Sequence, residues 1–183
     1  MSQNPPPTIK TAMRALFHLF LDICLLRQGP QQVPASQLLL RLMLLTYGLS
    51  GLLVSLVSLL DHDLFISLLL TLVDIALLAG LTYTVLSLRG YGQRFVQTLT
   101  ALLGTGTLLQ LLVLPVLLWL DQEVVRDGTP ELPRLLWFGV FAWSIAIMAH
   151  ILHHALSVSR WQGLGYSLAY VLISWIASWA IAG

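Results

Sequence analysis

Charged residues are scarce in this sequence: only 9% of its 183 residues are Asp, Glu, Lys or Arg, and the net charge is +1. A soluble domain carries about 25% charged residues, so a water-soluble globular domain is excluded. The near-neutral charge and the lack of any basic run also argue against a nucleic-acid partner. Cysteine occurs once, as Cys24, which excludes an intramolecular disulfide and favours a buried, unreactive thiol in an apolar helix.

Sequence motifs of soluble enzymes are missing as well. The chain has no Gly-rich phosphate loop, no Gly-x-Ser-x-Gly, no His-Glu-x-x-His and no Cys-x-x-Cys, which are the short signatures of common catalytic sites. The two-glycine turn Gly90-Tyr91-Gly92 is too short to cradle a nucleotide. The sequence therefore predicts a protein that is not an enzyme, and it predicts no cofactor.

Long apolar runs are what the sequence does contain. Hydrophobic residues make up 57% of the chain, and they fall in runs of about 20, the length that crosses a bilayer as a helix. Five spans are predicted, at about 37–60, 64–88, 95–120, 135–156 and 162–182. Short connections make consecutive spans antiparallel neighbours. The predicted fold is an all-α polytopic membrane protein, with a five-helix transmembrane bundle over residues 35–183.

The first 34 residues have a different character. A polar, Pro-rich tail at 1–7 precedes a predicted helix at 8–27. Polar residues recur every four positions along this helix, namely Lys10, Arg14, His18 and Asp22. Such a stripe is too polar to span easily and suits an amphipathic helix lying in the membrane interface.

The positive charges predict an orientation. With a cytoplasmic N-terminus, seven Lys or Arg residues lie near the inner ends of the spans and two near the outer ends. The inner residues are Lys10, Arg14, Arg27, Arg41, Arg89, Arg94 and Arg160, and the outer ones are Arg126 and Arg134. Because positive charge accumulates on the cytoplasmic side, we expect the N-terminus inside and the C-terminus outside.

Asp74 is the only charged residue in the second span. A carboxyl group in lipid is costly and marks either a function or a buried contact. Ser67 and Thr71 share its helix face, and Gln110, near the middle of the third span, is a candidate partner. Two interpretations stay open: a proton or cation site, or a hydrogen-bonded contact that holds two helices together.

A histidine cluster, His150, His153 and His154, closes the fourth span. The string His-x-x-His-His matches a box of membrane di-iron desaturases and hydroxylases, and His150 and His154 could face one metal ion. Those enzymes use several such boxes, whereas this chain has five histidines in total. The preferred interpretation is a set of interfacial histidines, and a metal or haem site is the weaker alternative.

Small residues recur on single faces of several spans. Representative positions are Gly48, Gly51, Ser55, Gly104, Ser174 and Ser178. Small residues let helix backbones approach closely in lipid. The pattern predicts helix-packing seams and a tight bundle with little room for a wide pore.

Several features together resemble a known family. They are the turn and aromatic at Arg89–Phe95, the late proline Pro115, the pairs Trp137-Phe138 and Ala142-Trp143, and the small-residue turn Gly163-Leu164-Gly165. With an N-terminal amphipathic segment and five spans, the chain resembles the Yip1-type membrane proteins, particularly their short bacterial members.

The resemblance implies a five-span fold, a multi-pass location in a bacterial inner membrane and no catalytic residues. Eukaryotic members carry a long cytoplasmic N-terminus and a Tyr-Gly-Pro motif and are linked to vesicle traffic. This chain has a short N-terminus and Gln28-Gly29-Pro30, so that role is not carried over.

Three functional hypotheses follow. The first is a non-catalytic integral membrane protein that binds or organises lipids or partner membrane proteins, or forms a homo-oligomer. The second is a small ion- or proton-coupled transporter centred on Asp74, although five spans without an internal repeat are few for a transporter. The third is a metal or haem protein using the histidine cluster.

Overall fold

The computed structural model describes residues 9–58, 64–125 and 129–182, and this part of the chain folds into six α-helices joined by short turns. The helices are α1 (Ile9–Cys24), α2 (Gln37–Ser58), α3 (Leu64–Leu88), α4 (Phe95–Val125), α5 (Glu131–Leu156) and α6 (Arg160–Ala182). Helices α2 to α6 are each long and apolar enough to cross a membrane. The predicted all-α class with five spans is confirmed.

The spans are helical because lipid offers the backbone no hydrogen-bond partners, so each segment must satisfy its own N–H and C=O groups. Two predicted ends were wrong. Helix α4 continues past residue 120 to Val125, and α5 begins at Glu131 rather than 135. Acidic residues at the end of α4 suggested a loop, but a helix does not stop where its side chains become polar. Trp119 Nε1 donates to Glu123 Oε1 at 3.4 Å across this added turn.

Some predictions fall outside the described residues. They concern the tail at 1–7, residue 8 at the start of the first predicted helix, the end of the first span at 59–60, and the outer charge at Arg126.

The five spans form a closed ring. Helix α2 packs against α4 and α3, α3 packs against α6, α6 against α5, and α5 against α4. Helix α3 also touches α4, and α1 docks outside the ring against α4 and α5.

Helix α1 is amphipathic, as predicted, and one of its faces enters the core. Phe20, Ile23 and Cys24 are buried, whereas Arg14 and His18 are exposed. The ring of Phe20 occupies the space that a side chain on Gly104 of α4 would need. Trp143 Nε1 of α5 donates to the Cys24 carbonyl at 2.9 Å, which satisfies a carbonyl that the helix end leaves free.

Helix α1 ends three residues before the predicted position 27. Leu26 adopts a left-handed conformation with φ of 60°. The N–H groups of Leu26 and Arg27 donate to the carbonyls of Ile23 and Asp22, each at 2.9 Å, which is the Schellman pattern of a helix end. Burial raises the pKa of the Cys24 thiol to about 11, so little of the reactive thiolate exists at neutral pH.

Glycines bring several helix pairs together. A Cβ on Gly48 would lie 3.4 Å from Ile75 Cδ1, and one on Gly51 would lie 3.2 Å from Gln110 Nε2. These two positions and Gly104 therefore lie at helix contacts, as the pattern of small residues predicted. The closest backbone approach is at Gly163 of α6, where a Cβ would lie 2.5 Å from the Ala149 carbonyl of α5.

Candidate functional site: a cleft around Asp74

The carboxylate of Asp74 receives three hydrogen bonds from two neighbouring helices. The Tyr47 hydroxyl of α2 donates to Oδ2 at 2.7 Å. From α6, the Tyr170 hydroxyl donates to Oδ1 at 2.5 Å and Ser174 Oγ donates to the same atom at 3.2 Å. One carboxylate therefore joins α2, α3 and α6 inside the ring.

Local packing explains why these three hydroxyls converge. Tyr47 is buried, and its ring fits because α4 has a glycine beside it: a Cβ on Gly106 would lie 2.5 Å from Tyr47 Cε2. Tyr170 and Ser174 are four residues apart, so they lie one turn apart on the same face of α6. A buried tyrosine places its hydroxyl on a partner, and Asp74 is that partner for both tyrosines.

The predicted companions of Asp74 on its own helix have a different role. Ser67 and Thr71 are buried, and Thr71 Oγ1 donates to the Ser67 carbonyl at 2.9 Å. The Thr71 methyl group lies at the α2–α3 contact, 3.5 Å from where a Cβ on Gly51 would be. Thr71 lies roughly 4.5 Å from Asp74 along the helix axis. Ser67 and Thr71 therefore share the helix face of Asp74 but do not take part in its hydrogen bonds.

Gln110 lies in the same cavity as Asp74 but bonds elsewhere. Its Oε1 accepts a hydrogen bond from Ser50 Oγ of α2. The sequence placed it near the carboxylate, and the structure places both side chains on one cavity wall. The hydrogen bonds to Asp74 come instead from the tyrosines and Ser174.

Sequence reasoning missed Tyr47 and Tyr170 and misjudged two serines. Ser174 and Ser178 were predicted to be packing residues, but Ser174 donates to Asp74 and Ser178 lines the cavity. The signal that could have found the tyrosines is their position. Each lies inside an apolar run and not at a span end, and a hydroxyl inside an apolar run must find a hydrogen-bond partner.

A cavity of about 760 Å³ lies inside the ring, with Asp74 in its wall. All five spans contribute lining residues, and this volume is within the range of small-molecule sites. The polar part of the wall consists mainly of Tyr47, Asp74, Gln110, Tyr170 and Ser174. We refer to this cavity as the Asp74 cleft.

The prediction of a tight bundle was wrong at this place. Helices α5 and α6 approach closely at Gly163, and Ser167 Oγ donates to the Ile145 carbonyl at 3.0 Å. Farther from the α5–α6 turn the facing side chains are bulky: Trp137 and Phe141 on α5, Trp175 on α6. Small residues allow the close approach at one end of this helix pair, and aromatic rings line the cleft at the other end.

The cleft opens on the apolar surface of the bundle. Several of its lining side chains are substantially exposed, including Phe141 at 39% and Trp175 at 70%. Leu168 and Leu172 on α6 are exposed lining residues as well. Since α6 is a candidate membrane span, these residues face the region that lipid chains would occupy.

The histidine cluster secures the segment that follows α1. His150 Nε2 donates to the Gln28 carbonyl at 3.1 Å, and Gln31 Nε2 donates to the His154 carbonyl at 2.9 Å. His153 Nδ1 donates to the Val158 carbonyl at the end of α5.

Within residues 9–58, 64–125 and 129–182, no three His, Cys, Asp or Glu side chains are placed to share a metal ion. The weaker hypothesis of a metal site at His150, His153 and His154 therefore gains no support from the described residues. His150 and His153 each use one ring nitrogen to bond a backbone carbonyl.

Comparison of the chain with protein-family models, with curated proteins and with solved structures gave no match. The resemblance to Yip1-type proteins remains a prediction, and any function has to be argued from the geometry of the cleft.

Proposed function

We propose that this protein is a non-catalytic multi-pass membrane protein that binds a lipophilic small molecule or lipid in the Asp74 cleft. The observation that carries this proposal is a cavity of about 760 Å³ whose walls are mostly apolar and include a few polar side chains, Asp74 among them. Binding sites for small molecules have this composition, in which apolar walls supply affinity and a few polar groups fix orientation.

The shape of the cleft favours an amphipathic ligand. The apolar part would pack against Trp137, Phe141 and Trp175, whose rings offer large contact areas. The polar end would reach Asp74, Tyr170 and Gln110. The exposed rim residues on α5 and α6 would let such a molecule enter sideways from the membrane.

A binding role fits the cleft better than a catalytic one. Ser174 is its best candidate nucleophile, and its hydroxyl donates to a carboxylate. Activated serines usually depend on an adjacent His or Lys, and the described residues that line the cleft include neither.

We propose a bacterial inner membrane as the location, with a cytoplasmic N-terminus. The excess of Lys and Arg at one set of span ends supports this orientation.

A transporter centred on Asp74 is the second candidate. It is favoured by the position of the carboxylate, roughly midway along α3 and in the wall of an open cavity. Flux of a bound molecule into proteoliposomes, lost in Asp74→Asn with binding retained, would favour transport over binding alone.

The binding proposal is tested by a substitution that places a bulky side chain in the cleft. Ser144 lines the cleft on α5, whereas Ala146, two residues away, is exposed and is not a lining residue. Protein purified in mild detergent is extracted with organic solvent, and the retained lipophilic molecules are quantified by mass spectrometry. We expect one species to be retained by the unaltered protein and by Ala146→Trp, and to fall at least about tenfold in Ser144→Trp, since a Trp side chain that projects into the cleft takes up part of the space that the ligand needs. Equal retention in all three proteins would refute binding in the cleft.

A further inference from the structure

Among the residues that the structure describes, Asp74 is the one charged side chain that lines the cleft. The other described residues in its wall are neutral, and no Lys, Arg or His is among them. Buried charges in proteins are normally paired, and residues of this kind inside membranes pair with one another or face a water-filled or ligand-filled space. The charge of this cleft is therefore unbalanced by the protein itself.

The groups around the Asp74 side chain are neutral hydrogen-bond donors. Tyr47, Tyr170 and Ser174 each donate a hydroxyl hydrogen bond to it, and none of them supplies a positive charge to pair with a carboxylate. A carboxylate has about four acceptor positions, so three donors leave room for one more. They replace water around the anion without neutralising it.

The walls carry the second element of cation recognition. Trp137 and Phe141 stack on each other with ring planes 2° apart and centroids 5.4 Å apart. Trp175, Tyr47 and Tyr170 add three more aromatic rings to the lining. The face of an aromatic ring attracts a cation, and a desolvated site strengthens that attraction.

We propose that the Asp74 cleft selects lipophilic organic cations, meaning ammonium or phosphonium ions with large apolar substituents. This inference rests on the proposed binding function and names the class of its ligand. The carboxylate and aromatic faces attract the positive centre, and the apolar walls accept the substituents.

The same features disfavour other ligands. Calcium takes six to eight oxygen ligands at short distance, whereas most of this wall is apolar and the cavity is far larger than an ion. An anion would meet the field of Asp74 with no basic side chain in the described lining to offset it. A neutral lipophile would gain the apolar contacts but nothing from the carboxylate.

The test uses two probes of the same shape and opposite charge, tetraphenylphosphonium and tetraphenylborate. Binding of each to the detergent-purified protein is measured by equilibrium dialysis. We expect the cation to bind at least about tenfold more tightly than the anion, because opposite charges a few ångströms apart attract strongly in a site of low dielectric constant. Asp74→Asn keeps the shape and one of the two acceptor oxygens, and it should remove most of this preference.

A rim pair provides a test that does not depend on the buried site folding correctly. Trp175 and Trp179 are both on α6 and are 70% and 73% exposed, but only Trp175 lines the cleft. We expect Trp175→Leu to weaken binding of the cation by about threefold or more, whereas Trp179→Leu leaves it unchanged.

The outcomes separate the two proposals. Equal binding of both probes, each blocked by Ser144→Trp, would overturn the cation selectivity and leave the binding function standing. If neither probe binds and lipophile retention is unchanged in Ser144→Trp, the proposed binding function is refuted, and the cation inference is refuted with it.

Discussion

At the scale of single residues, Asp74 is the centre of the molecule's polar chemistry. Its three hydroxyl partners lie 27, 96 and 100 positions away in the sequence. The two interpretations offered for this residue are not exclusive, because the same carboxylate joins three helices and lines a cavity. The contact with the tyrosines carries the structural role, and the open side of the carboxylate would carry the proposed binding role.

Removing one hydroxyl should measure the structural role. Tyr47→Phe deletes the group that donates to Asp74 at 2.7 Å and keeps the ring beside Gly106. We expect the free energy of unfolding to fall by about 1–2 kcal/mol, measured by equilibrium unfolding in mixed micelles. In an Asp74→Ala background, Tyr47→Phe should lower the free energy of unfolding by a smaller amount, since the Tyr47 hydroxyl has already lost its acceptor.

Tyr83 is a suitable control for this cycle. It is 57% exposed on α3, and Tyr83→Phe should alter stability by less than about 0.5 kcal/mol. An identical cost of Tyr47→Phe with and without Asp74 would show that the hydrogen bond contributes nothing to stability.

At the scale of the helices, the α5–α6 pair decides the shape of the cleft. Its close end depends on the missing side chain of Gly163, and at its other end Trp137, Phe141 and Trp175 line the cleft. The sequence pattern identified Gly163 only as part of a turn, because the contact partner, Ala149, is on another helix.

A methyl group at Gly163 should force these helices apart. The added Cβ would lie 2.5 Å from the Ala149 carbonyl oxygen and 3.0 Å from His153 Cβ. We expect Gly163→Ala to lower the free energy of unfolding by about 1–3 kcal/mol, as overpacked sites do. Thermal unfolding followed by tryptophan fluorescence would measure the loss.

Gly165, also on α6, is the matched control. A Cβ there meets nothing within 4 Å, so Gly165→Ala should be neutral or add up to about 1 kcal/mol through helix propensity. If both substitutions had the same effect, the close approach at Gly163 would have no role in stability.

The histidine cluster belongs to the element scale as well. Its spacing suggested a metal box, but the spacing of i and i+4 only places side chains on one helix face. What lies opposite that face is the Gln28–Gln31 segment, which bonds to His150 and to the His154 carbonyl. The cluster therefore holds the connection between α1 and α2.

At the scale of the whole molecule, five spans surround a cavity instead of filling the ring. In lipid, apolar side chains are equally stable against a neighbouring helix and against acyl chains. A membrane bundle therefore tolerates a lateral opening between its helices. In a soluble protein the same opening would expose apolar side chains to water and lower stability.

The orientation of the bundle can be tested with paired reporters. Alkaline phosphatase fused after Gly183 should be active in bacterial cells, and green fluorescent protein at the same place should not fluoresce, since the excess of seven positive residues over two favours a cytoplasmic location for the N-terminal side. A fluorescent C-terminal fusion without phosphatase activity would reverse the proposed topology.

The number and helical nature of the spans were determined by the sequence alone, because apolar run length and backbone satisfaction in lipid are local properties. The buried position of Ser67 and Thr71 also followed from their shared helix face. The meeting of Asp74 with Tyr47 and Tyr170, and the cleft beside them, were decided only by the tertiary structure. Apolar helix faces look alike in the sequence, so the pairing of faces, and with it the partner of each buried polar group, depends on how all the helices pack together.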